Sequence, residues 1–253
     1  MTNRLKILDI WVDAITKPEA MQKVADILKN GQRPHAIFAA NPEKNFSVPK
    51  DPELHKIFEQ ADILLPDGIG MVWAARTLYG ASLDRIPGAE FFEDICTLAA
   101  QEGYKVFIYG STEEVNRQSA EILQARFPGL LIAGRAHGYL GIKDMPDLIK
   151  HINSSQAEIL FIALGSPKQE KWFGAHKDSL RSVKIVQGIG GTLDTIVGKV
   201  RRAPEIWRRV HAEWLYRLLK EPKRLRRQKV LPLFMVRVLH KKFKQGICSL
   251  GGS

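Results

Sequence analysis

Residues 63–70 read Ile63-Leu64-Leu65-Pro66-Asp67-Gly68-Ile69-Gly70, and this octapeptide predicts a change from strand to helix. The apolar run before Pro66 is typical of a buried strand, which Pro66 ends because proline cannot donate to a ladder hydrogen bond. From Met71 onward the apolar residues recur with helical spacing. Asp67 is therefore predicted at the carboxyl end of a strand, the edge at which open α/β sheets bind their ligands.

Two roles are open to Asp67 from this stretch alone. A carboxylate beside small residues that let a substrate approach can act as a general base. An Asp that follows a strand is also a preferred N-cap of the next helix. The octapeptide does not choose between these two roles.

The rest of the chain repeats the alternation of strands and helices. Apolar runs predict strands at 5–11, 36–40, 63–65, 105–109, 130–133, 158–163 and 184–187, and helical patterns lie at 17–28, 52–60, 90–102, 110–127, 146–153 and 169–177. This alternation predicts an α/β fold, a Rossmann-like and mostly parallel sheet with helices on both faces. We place this α/β domain at 1–203 and a basic helical appendage at 204–253, because Arg201-Arg202-Ala203-Pro204 opens the tail.

The positive charge of the chain is concentrated in that tail. The net charge is +11, but residues 198–253 hold 16 Lys and Arg against 3 Asp and Glu, whereas the remainder has a net charge of −2. Apolar residues at helical spacing run through 205–220, and a second apolar cluster covers 230–239. Basic residues beside apolar clusters are typical of helices that lie on an anionic membrane surface. Docking on the domain core and binding of nucleic acid are the alternatives, and nucleic acid is the least favoured.

Cysteine usage and hydropathy indicate the compartment. Cys96 and Cys248 lie far apart in the sequence, which favours a reducing compartment over a disulfide framework or a Cys-based metal site. The N-terminus has no apolar segment of signal-peptide length, and no apolar run is long enough to span a bilayer. We expect a cytoplasmic protein, peripheral on the cytoplasmic face of the cell membrane, without a transmembrane helix.

Glycines and polar residues follow several other predicted strands. These positions are Asn41, Gly110-Ser111, Gly165-Ser166-Pro167-Lys168-Gln169-Glu170, and the Gly-rich turn at 188–194. Gly-rich turns at helix starts expose backbone N–H groups that bind phosphate oxygens. Gly188, Gly190 and Gly191 do not complete a dinucleotide fingerprint, and the chain has no G-x-x-x-x-G-K-[ST] loop.

Basic side chains and backbone N–H groups, and not a metal ion, are the expected partners of bound phosphate. Arg85 lies in a loop, and its guanidinium pairs well with phosphate oxygens. The sequence has no His, Asp or Glu cluster at metal-ligand spacing. We therefore predict a site that holds no metal ion.

An ordered set of motifs extends from near the start of the chain to about Arg227. The motifs are Asn41-Pro42-Glu43, Pro66-Asp67-Gly68-Ile69-Gly70, Arg85-Ile86-Pro87-Gly88, His137-Gly138-Tyr139, and the segments 164–172, 188–194, 198–204 and 213–218. Together they resemble the WecG/TagA/CpsF family of glycosyltransferases. One position departs from the family pattern, because Ala39 stands where the family often has Thr. A hydroxyl contact is missing there, so the donor sugar or the acceptor can differ.

The resemblance implies an inverting, metal-independent transferase without a cofactor. Such enzymes move a sugar, typically N-acetylmannosamine or its uronic acid, from a UDP donor to an undecaprenyl-diphosphate-linked sugar, in cell-surface polysaccharide or teichoic acid synthesis. The resemblance makes Asp67 the general base and places Asn41, Arg85 and Gln169 in the same pocket. Substrate binding is expected at the turns and in the tail, at Gly110, Gly165, Lys168, Glu170, Gly190, Gly191, Asp194, Arg217, Arg224 and Arg227.

The expected partners are the UDP-sugar, the lipid-linked acceptor and an anionic membrane surface, but not nucleic acid. The donor sugar, the acceptor sugar and the oligomeric state, a homo-oligomer included, are left open. One rival function is an NAD-dependent oxidoreductase, which is disfavoured because G-x-G-x-x-G and a ribose-binding acid are missing. A second rival, a nucleic-acid binder that uses the tail, leaves Asp67, Asn41 and Gln169 without a role.

Overall fold

The structure is a computed structural model that describes residues 4–199 and 230–250, with side-chain surroundings through residue 245. The predicted helix at 205–220 and the candidate residues Arg217, Arg224 and Arg227 lie outside the described residues. All other candidate site residues lie within them.

Six parallel strands form the central sheet. They are β3 (His35–Ala40), β4 (Ile63–Pro66), β5 (Lys105–Gly110), β6 (Leu131–Ala136), β7 (Ile159–Ala163) and β8 (Ile185–Gly188). Their hydrogen-bonded order is β4-β3-β8-β7-β5-β6, and each neighbouring pair is parallel. The α/β fold with a parallel sheet, predicted from the alternation of elements, is confirmed.

The first segment differs from its prediction. The expected single strand at 5–11 is wrong, because residues 4–13 form an antiparallel hairpin of β1 (Arg4–Ile7) and β2 (Ile10–Asp13). Leu8 takes a left-handed φ of 54° in the turn. Leucine rarely adopts that conformation, and Asp9 beside it is a common turn residue that the strand prediction passed over.

Helices precede or follow each strand of the sheet. They are α1 (Lys17–Asn30), α2 (Lys44–Ser47), α3 (Pro52–Gln60), α4 (Ile69–Tyr79), α5 (Gly88–Glu102), α6 (Glu113–Arg126), α7 (Met145–Ser154), α8 (Lys168–His176), α9 (Thr192–Ile196) and a C-terminal helix (Val230–Leu250). Short 3₁₀ turns lie at Val48–Lys50, Ile142–Asp144 and Lys177–Ser179. Among the described residues no helix is both long and apolar enough to cross a bilayer.

Side chains alternate between the two faces of the sheet and build two cores. In β3, Phe38 packs in the core beneath α3, α4 and α8, whereas its neighbour Ile37 packs in the core beneath α1, α5 and α6. Successive residues of a strand point to opposite faces, so strands covered on both faces read as the continuous apolar runs of the sequence. The hairpin joins the first core, and its buried Asp13 accepts a hydrogen bond of 2.9 Å from Leu64 N–H.

The C-terminal helix docks one face on the α/β core. Phe234 and Val238 are 1% and 0% exposed and lie in the same core as Met71 of α4. Arg237 adds an ion pair of 2.8 Å to Asp9 in the hairpin turn. Docking was one of the alternatives left open for the tail, and it applies to this face of the helix. The predicted division at residues 203 and 204 stays a prediction.

The opposite face of the same helix is exposed. Its large apolar residues are Leu233, Met235, Val236, Leu239 and Phe243. The helix therefore has both a core-facing and an open apolar stripe.

Candidate active site

The carboxyl edge of the sheet gathers the predicted site residues. Because β4, β3, β8, β7 and β5 are consecutive parallel neighbours, their carboxyl ends lie side by side. In that order the residues that follow these strands are Asp67, Asn41, the turn 189–191, the turn 164–167 and Ser111. The strand order therefore brings these strand ends to one edge of the sheet.

Asp67 lies beside the end of β3. Its backbone N–H donates a hydrogen bond of 3.0 Å to Ala40 O, and its side chain is half-buried. The N-cap position of α4 belongs to Gly68, which has a φ of 95°. A residue with a side chain is strained in that conformation, so the glycine is required for the turn that follows Asp67.

Asn41 begins the segment that leads into α2. Its side-chain Oδ1 accepts a hydrogen bond of 3.1 Å from the backbone N–H of Lys44, and its carbonyl oxygen accepts one of 3.0 Å from the same N–H. Both oxygen atoms of Asn41 accept a hydrogen bond within the protein, and Nδ2 is a donor that Asn41 can offer to a ligand.

The Arg85 loop is tied to the strand that carries Asp67. The backbone N–H of Ile86 donates a hydrogen bond of 2.9 Å to Pro66 O, at the end of β4. The side chain of Arg85 is half-buried, and within residues 4–199 and 230–250 no carboxylate forms an ion pair with it. Its guanidinium is thus available to an anion at the same edge of the sheet.

Gln169 connects two of the Gly-rich turns. Its Oε1 accepts a hydrogen bond of 2.9 Å from the backbone N–H of Gly190, and the residue is 6% exposed. The carboxamide packs on Gly188, where an added Cβ would lie 2.5 Å from Nε2 of Gln169. Gln169, in the first turn of α8, therefore fixes the position of the turn that follows β8.

Two glycines of these turns have open space beside them among the described residues. An added Cβ at Gly165 or at Gly190 would meet no atom of that part of the chain within 4 Å. A ligand can therefore approach the backbone closely at both places, as phosphate binding by N–H groups requires. Lys168 and Gly191 are exposed beside them, and Asp194 is half-buried.

Gly110 and Ser111 end β5 against the neighbouring strand β7. The backbone N–H of Ser111 donates a hydrogen bond of 3.0 Å to Ala163 O. Asn116, which the sequence did not indicate, donates from Nδ2 to Gly110 O at 2.9 Å and to Ala136 O at 3.0 Å. This buried amide fixes the ends of β5 and β6 relative to each other.

Glu170 lies in the interior and not on the open side of the edge. It is 2% exposed, and its Oε1 lies 2.6 Å from Nζ of Lys44, which is itself 7% exposed. Its predicted substrate contact stays a prediction. Lys44 was missed because a Lys in a polar segment is ordinarily exposed, and nothing in the local pattern marks it as buried.

Among the described residues, the edge carries the carboxylates of Asp67 and Asp194, the side chains of Arg85 and Lys168, amides and backbone donors. Within residues 4–199 and 230–250, no group of three or more His, Cys, Asp or Glu side chains is placed to hold a metal ion. A surface depression of about 680 Å³ lies elsewhere, at the amino edge, where Asn153, Gln156 and Arg181 line it. We therefore assign the candidate site to the carboxyl edge, where the polar groups converge.

Comparison with known proteins gives matches over nearly the whole chain. A model of the glycosyl transferase WecG/TagA/CpsF family matches residues 5–247. A Staphylococcus aureus (strain MRSA252) protein named N-acetylglucosaminyldiphosphoundecaprenol N-acetyl-beta-D-mannosaminyltransferase is 32% identical over 245 residues, which cover 96% of this chain and 95% of that protein. A Bacillus spizizenii (strain ATCC 23059 / NRRL B-14472 / W23) protein of the same name is 37% identical over 204 residues, 80% of this chain and 78% of its own length.

These matches agree with the family that the ordered motifs resemble. They favour neither the oxidoreductase nor the nucleic-acid-binding alternative. The chain belongs to the glycosyl transferase WecG/TagA/CpsF family.

Proposed function

We propose that this protein is an inverting glycosyltransferase that moves N-acetylmannosamine, or a related hexose or uronic acid, from a UDP donor to undecaprenyl-diphosphate-linked N-acetylglucosamine. The product would serve cell-surface polysaccharide or teichoic acid synthesis. The observation that carries the proposal is the 32% identity across 96% of the chain to a transferase named for this sugar and this acceptor. The polar residues at the carboxyl edge of the sheet support it.

Asp67 is the general base of the proposed reaction. Its carboxylate takes the proton of the acceptor hydroxyl while that oxygen attacks the anomeric carbon of the donor. The bond between the anomeric carbon and the diphosphate oxygen breaks, and UDP leaves with the electron pair. A single displacement of this kind inverts the anomeric centre.

The leaving diphosphate needs fixed donors, because charge develops on it as the bond breaks. Arg85 is tied to the strand of Asp67, and the backbone N–H groups of the open turns at Gly165 and Gly190 lie on the same edge. Asn41, on the strand next to Asp67, offers its Nδ2 to a sugar hydroxyl. We propose that the guanidinium groups of the tail residues Arg217, Arg224 and Arg227 also bind the diphosphate. These three residues lie outside the part of the chain that the structure describes.

The proposed acceptor carries a polyprenyl chain that stays in the bilayer, so the enzyme has to work at the membrane surface. The exposed stripe of the C-terminal helix supports peripheral binding, because apolar Val236, Leu239 and Phe243 lie beside exposed Lys242 and Lys244. Apolar burial and attraction to anionic headgroups act together at such a surface. We place the protein on the cytoplasmic face, where the UDP-sugar is made.

A transfer assay tests the proposal. Purified protein is incubated with a panel of radiolabelled UDP-sugars and a short-chain prenyl-diphosphate-N-acetylglucosamine, and the lipid product is separated and counted. We expect product with the N-acetylmannosamine donor or its uronic acid, and none when the acceptor is prenyl phosphate without a sugar. Absence of product with all donors, or equal hydrolysis of the donor without acceptor, would overturn the proposal.

A further inference from the structure

A buried ion pair lies directly behind the candidate site. Nζ of Lys44 is 2.6 Å from Oε1 of Glu170 and also donates to Oγ of Ser166. The two charged residues are 7% and 2% exposed, and the ammonium lies 5.0 Å from the centre of the Phe58 ring. The pair is thus withdrawn from solvent on nearly all sides.

Each member of the pair is adjacent to a predicted site residue. The backbone N–H of Lys44 is held by Asn41, at 3.1 Å from its Oδ1 and 3.0 Å from its carbonyl oxygen. Glu170 follows Gln169 in the first turn of α8, and Gln169 holds Gly190 at 2.9 Å. The ion pair therefore connects the segment that carries Asn41 with the segment that carries Gln169.

The sheet itself does not join these two segments. Asn41 follows β3 and Gln169 follows β7, and β8 lies between these two strands. No ladder hydrogen bond can link the end of β3 to the end of β7 across an intervening strand. The side chains of Lys44, Glu170 and Ser166 make that link instead.

Stability alone is a poor explanation for such a pair. Removing two charges from water costs several kcal/mol per ion, and apolar residues of similar volume are often as stabilising or more so. Oε2 of Glu170 adds to the cost, because it is buried and no described residue forms a hydrogen bond with it. A buried ion pair with this desolvation cost is better explained by a role in fixing the segment of Asn41 relative to the segment of Gln169.

We propose that Lys44 and Glu170 are positioning residues that set the geometry of Asn41 and Gln169, an inference that rests on the proposed transferase function for its catalytic consequence. The pair holds Asn41 beside Asp67 and holds the Gln169 carboxamide against Gly190. Because Lys44 and Glu170 are 7% and 2% exposed, the pair acts on the reaction through Asn41 and Gln169. Loss of the pair lets the two segments move independently, and a displacement of about 1 Å at a reacting centre can reduce turnover roughly a hundredfold.

The test replaces both charges by apolar residues of similar size, in Lys44→Met/Glu170→Leu. Three quantities are compared with the wild type: the thermal midpoint, hydrogen exchange at the Gly190 N–H, and kcat and KM for transfer. We expect an unchanged or higher midpoint, faster exchange at Gly190 because its acceptor is no longer fixed, and kcat lower by roughly a hundredfold. The half-exposed pair Arg126–Glu93 is the matched control, and Arg126→Met/Glu93→Leu should leave exchange at Gly190 and transfer unchanged.

The outcomes separate this inference from the proposed function. Wild-type exchange at Gly190 together with wild-type kcat in the double variant overturns the positioning role, whatever its midpoint. If the wild type itself transfers no sugar, the proposed function fails, and exchange at Gly190 still decides whether the pair positions the turn. If the double variant does not fold, the isosteric Glu170→Gln replaces it, with the same expected acceleration of exchange and the same overturning result.

Discussion

Oε1 of Gln169 accepts a hydrogen bond of 2.9 Å from the backbone N–H of Gly190. This bond joins α8 to the turn after β8, and it is possible only because residue 188 lacks a side chain. An added Cβ at Gly188 would lie 2.5 Å from Nε2 and 2.9 Å from Cδ of Gln169. The close packing of Gln169 thus explains why residue 188 is a glycine. This explanation does not require that the turn binds a phosphate.

Gly188→Ala is predicted to displace the Gln169 side chain while preserving the fold. Overpacking of this kind costs about 1–3 kcal/mol, and the displaced carboxamide can no longer hold Gly190. We expect a lower thermal midpoint, weaker UDP binding in calorimetry and reduced transfer. Gly174→Ala is a matched control, since its added Cβ would lie 2.7 Å from the flexible end of Ile57, away from the site. Equal UDP affinity in the two variants would contradict the prediction.

Much of this site could be predicted from the sequence because strand ends are marked locally. The apolar run that stops at Pro66 and the one that stops before Asn41 indicate where each strand ends, and parallel strands bring those ends to one edge. The buried partnership of Lys44 and Glu170 could not be predicted, because it joins residues 126 positions apart. The turn at Leu8 was missed for a different reason, since its turn residue Asp9 is flanked by the apolar Leu8 and Ile10, with no Gly, Pro or Asn beside it.

Asp67→Asn is predicted to abolish most of the transfer without loss of ligand binding. The amide keeps the size of the side chain but cannot accept the proton of the acceptor hydroxyl. A positioned general base contributes about two or more orders of magnitude, so kcat should fall by at least that factor. Turnover and UDP affinity are measured in parallel. Asp178→Asn, at an exposed position, serves as the control and should keep wild-type turnover. Wild-type turnover in Asp67→Asn would show that Asp67 is not the general base.

Transfer is predicted to proceed without a divalent metal ion. The groups placed to neutralise the diphosphate are Arg85 and the backbone donors near Gly165 and Gly190, which need no bridging cation. We expect equal rates in EDTA and in buffer with magnesium or manganese. The rate is measured after extensive dialysis against the chelator, so that tightly held ions are removed. Activity that disappears with EDTA and returns with either metal would show the prediction to be wrong.

Asp62 is predicted to make stability depend on acid pH. Burial acts to raise the pKa of this carboxyl, but hydrogen bonds from Arg33, His35 and the Ala36 N–H outweigh it and lower the pKa. A carboxyl with a lowered folded-state pKa stabilises the protein above its unfolded pKa of about 3.9, and that stabilisation is lost as pH falls towards the folded-state pKa.

The free energy of unfolding by urea, measured from neutral pH downward, checks this prediction. Asp62→Asn should be less stable than the wild type at neutral pH, and the difference should shrink below about pH 4. The exposed Asp178→Asn should show no such convergence. If the difference in unfolding free energy between Asp62→Asn and the wild type stays constant down to acid pH, the prediction is wrong. The loss of stability would then come from altered packing or hydrogen bonding and not from the charge of Asp62.

The exposed stripe of the C-terminal helix is predicted to bind anionic lipid. Removing the whole tail would be a poor test, because Phe234 and Val238 are part of the core and their loss would destabilise the domain. The sharper change is Val236→Ser/Leu239→Ser/Phe243→Ser, which alters only residues that are 62%, 53% and 68% exposed. We expect an unchanged fold and much weaker sedimentation with vesicles that contain phosphatidylglycerol.

Surface hydrophobicity in general must be separated from the position of this stripe. Leu131, Tyr139 and Ile142 are also exposed, at 47%, 77% and 91%, but they lie on and after β6, at the other end of the sheet from α4. Their replacement by Ser should leave vesicle binding intact if the helix is the attachment. Each nearby Lys contributes about 1 kcal/mol at such a surface, so binding by the wild type should also weaken with added salt. If the helix variant sediments with the vesicles as well as the wild type does, the membrane-binding residues lie elsewhere in the chain. The C-terminal helix would then contribute only to packing of the core.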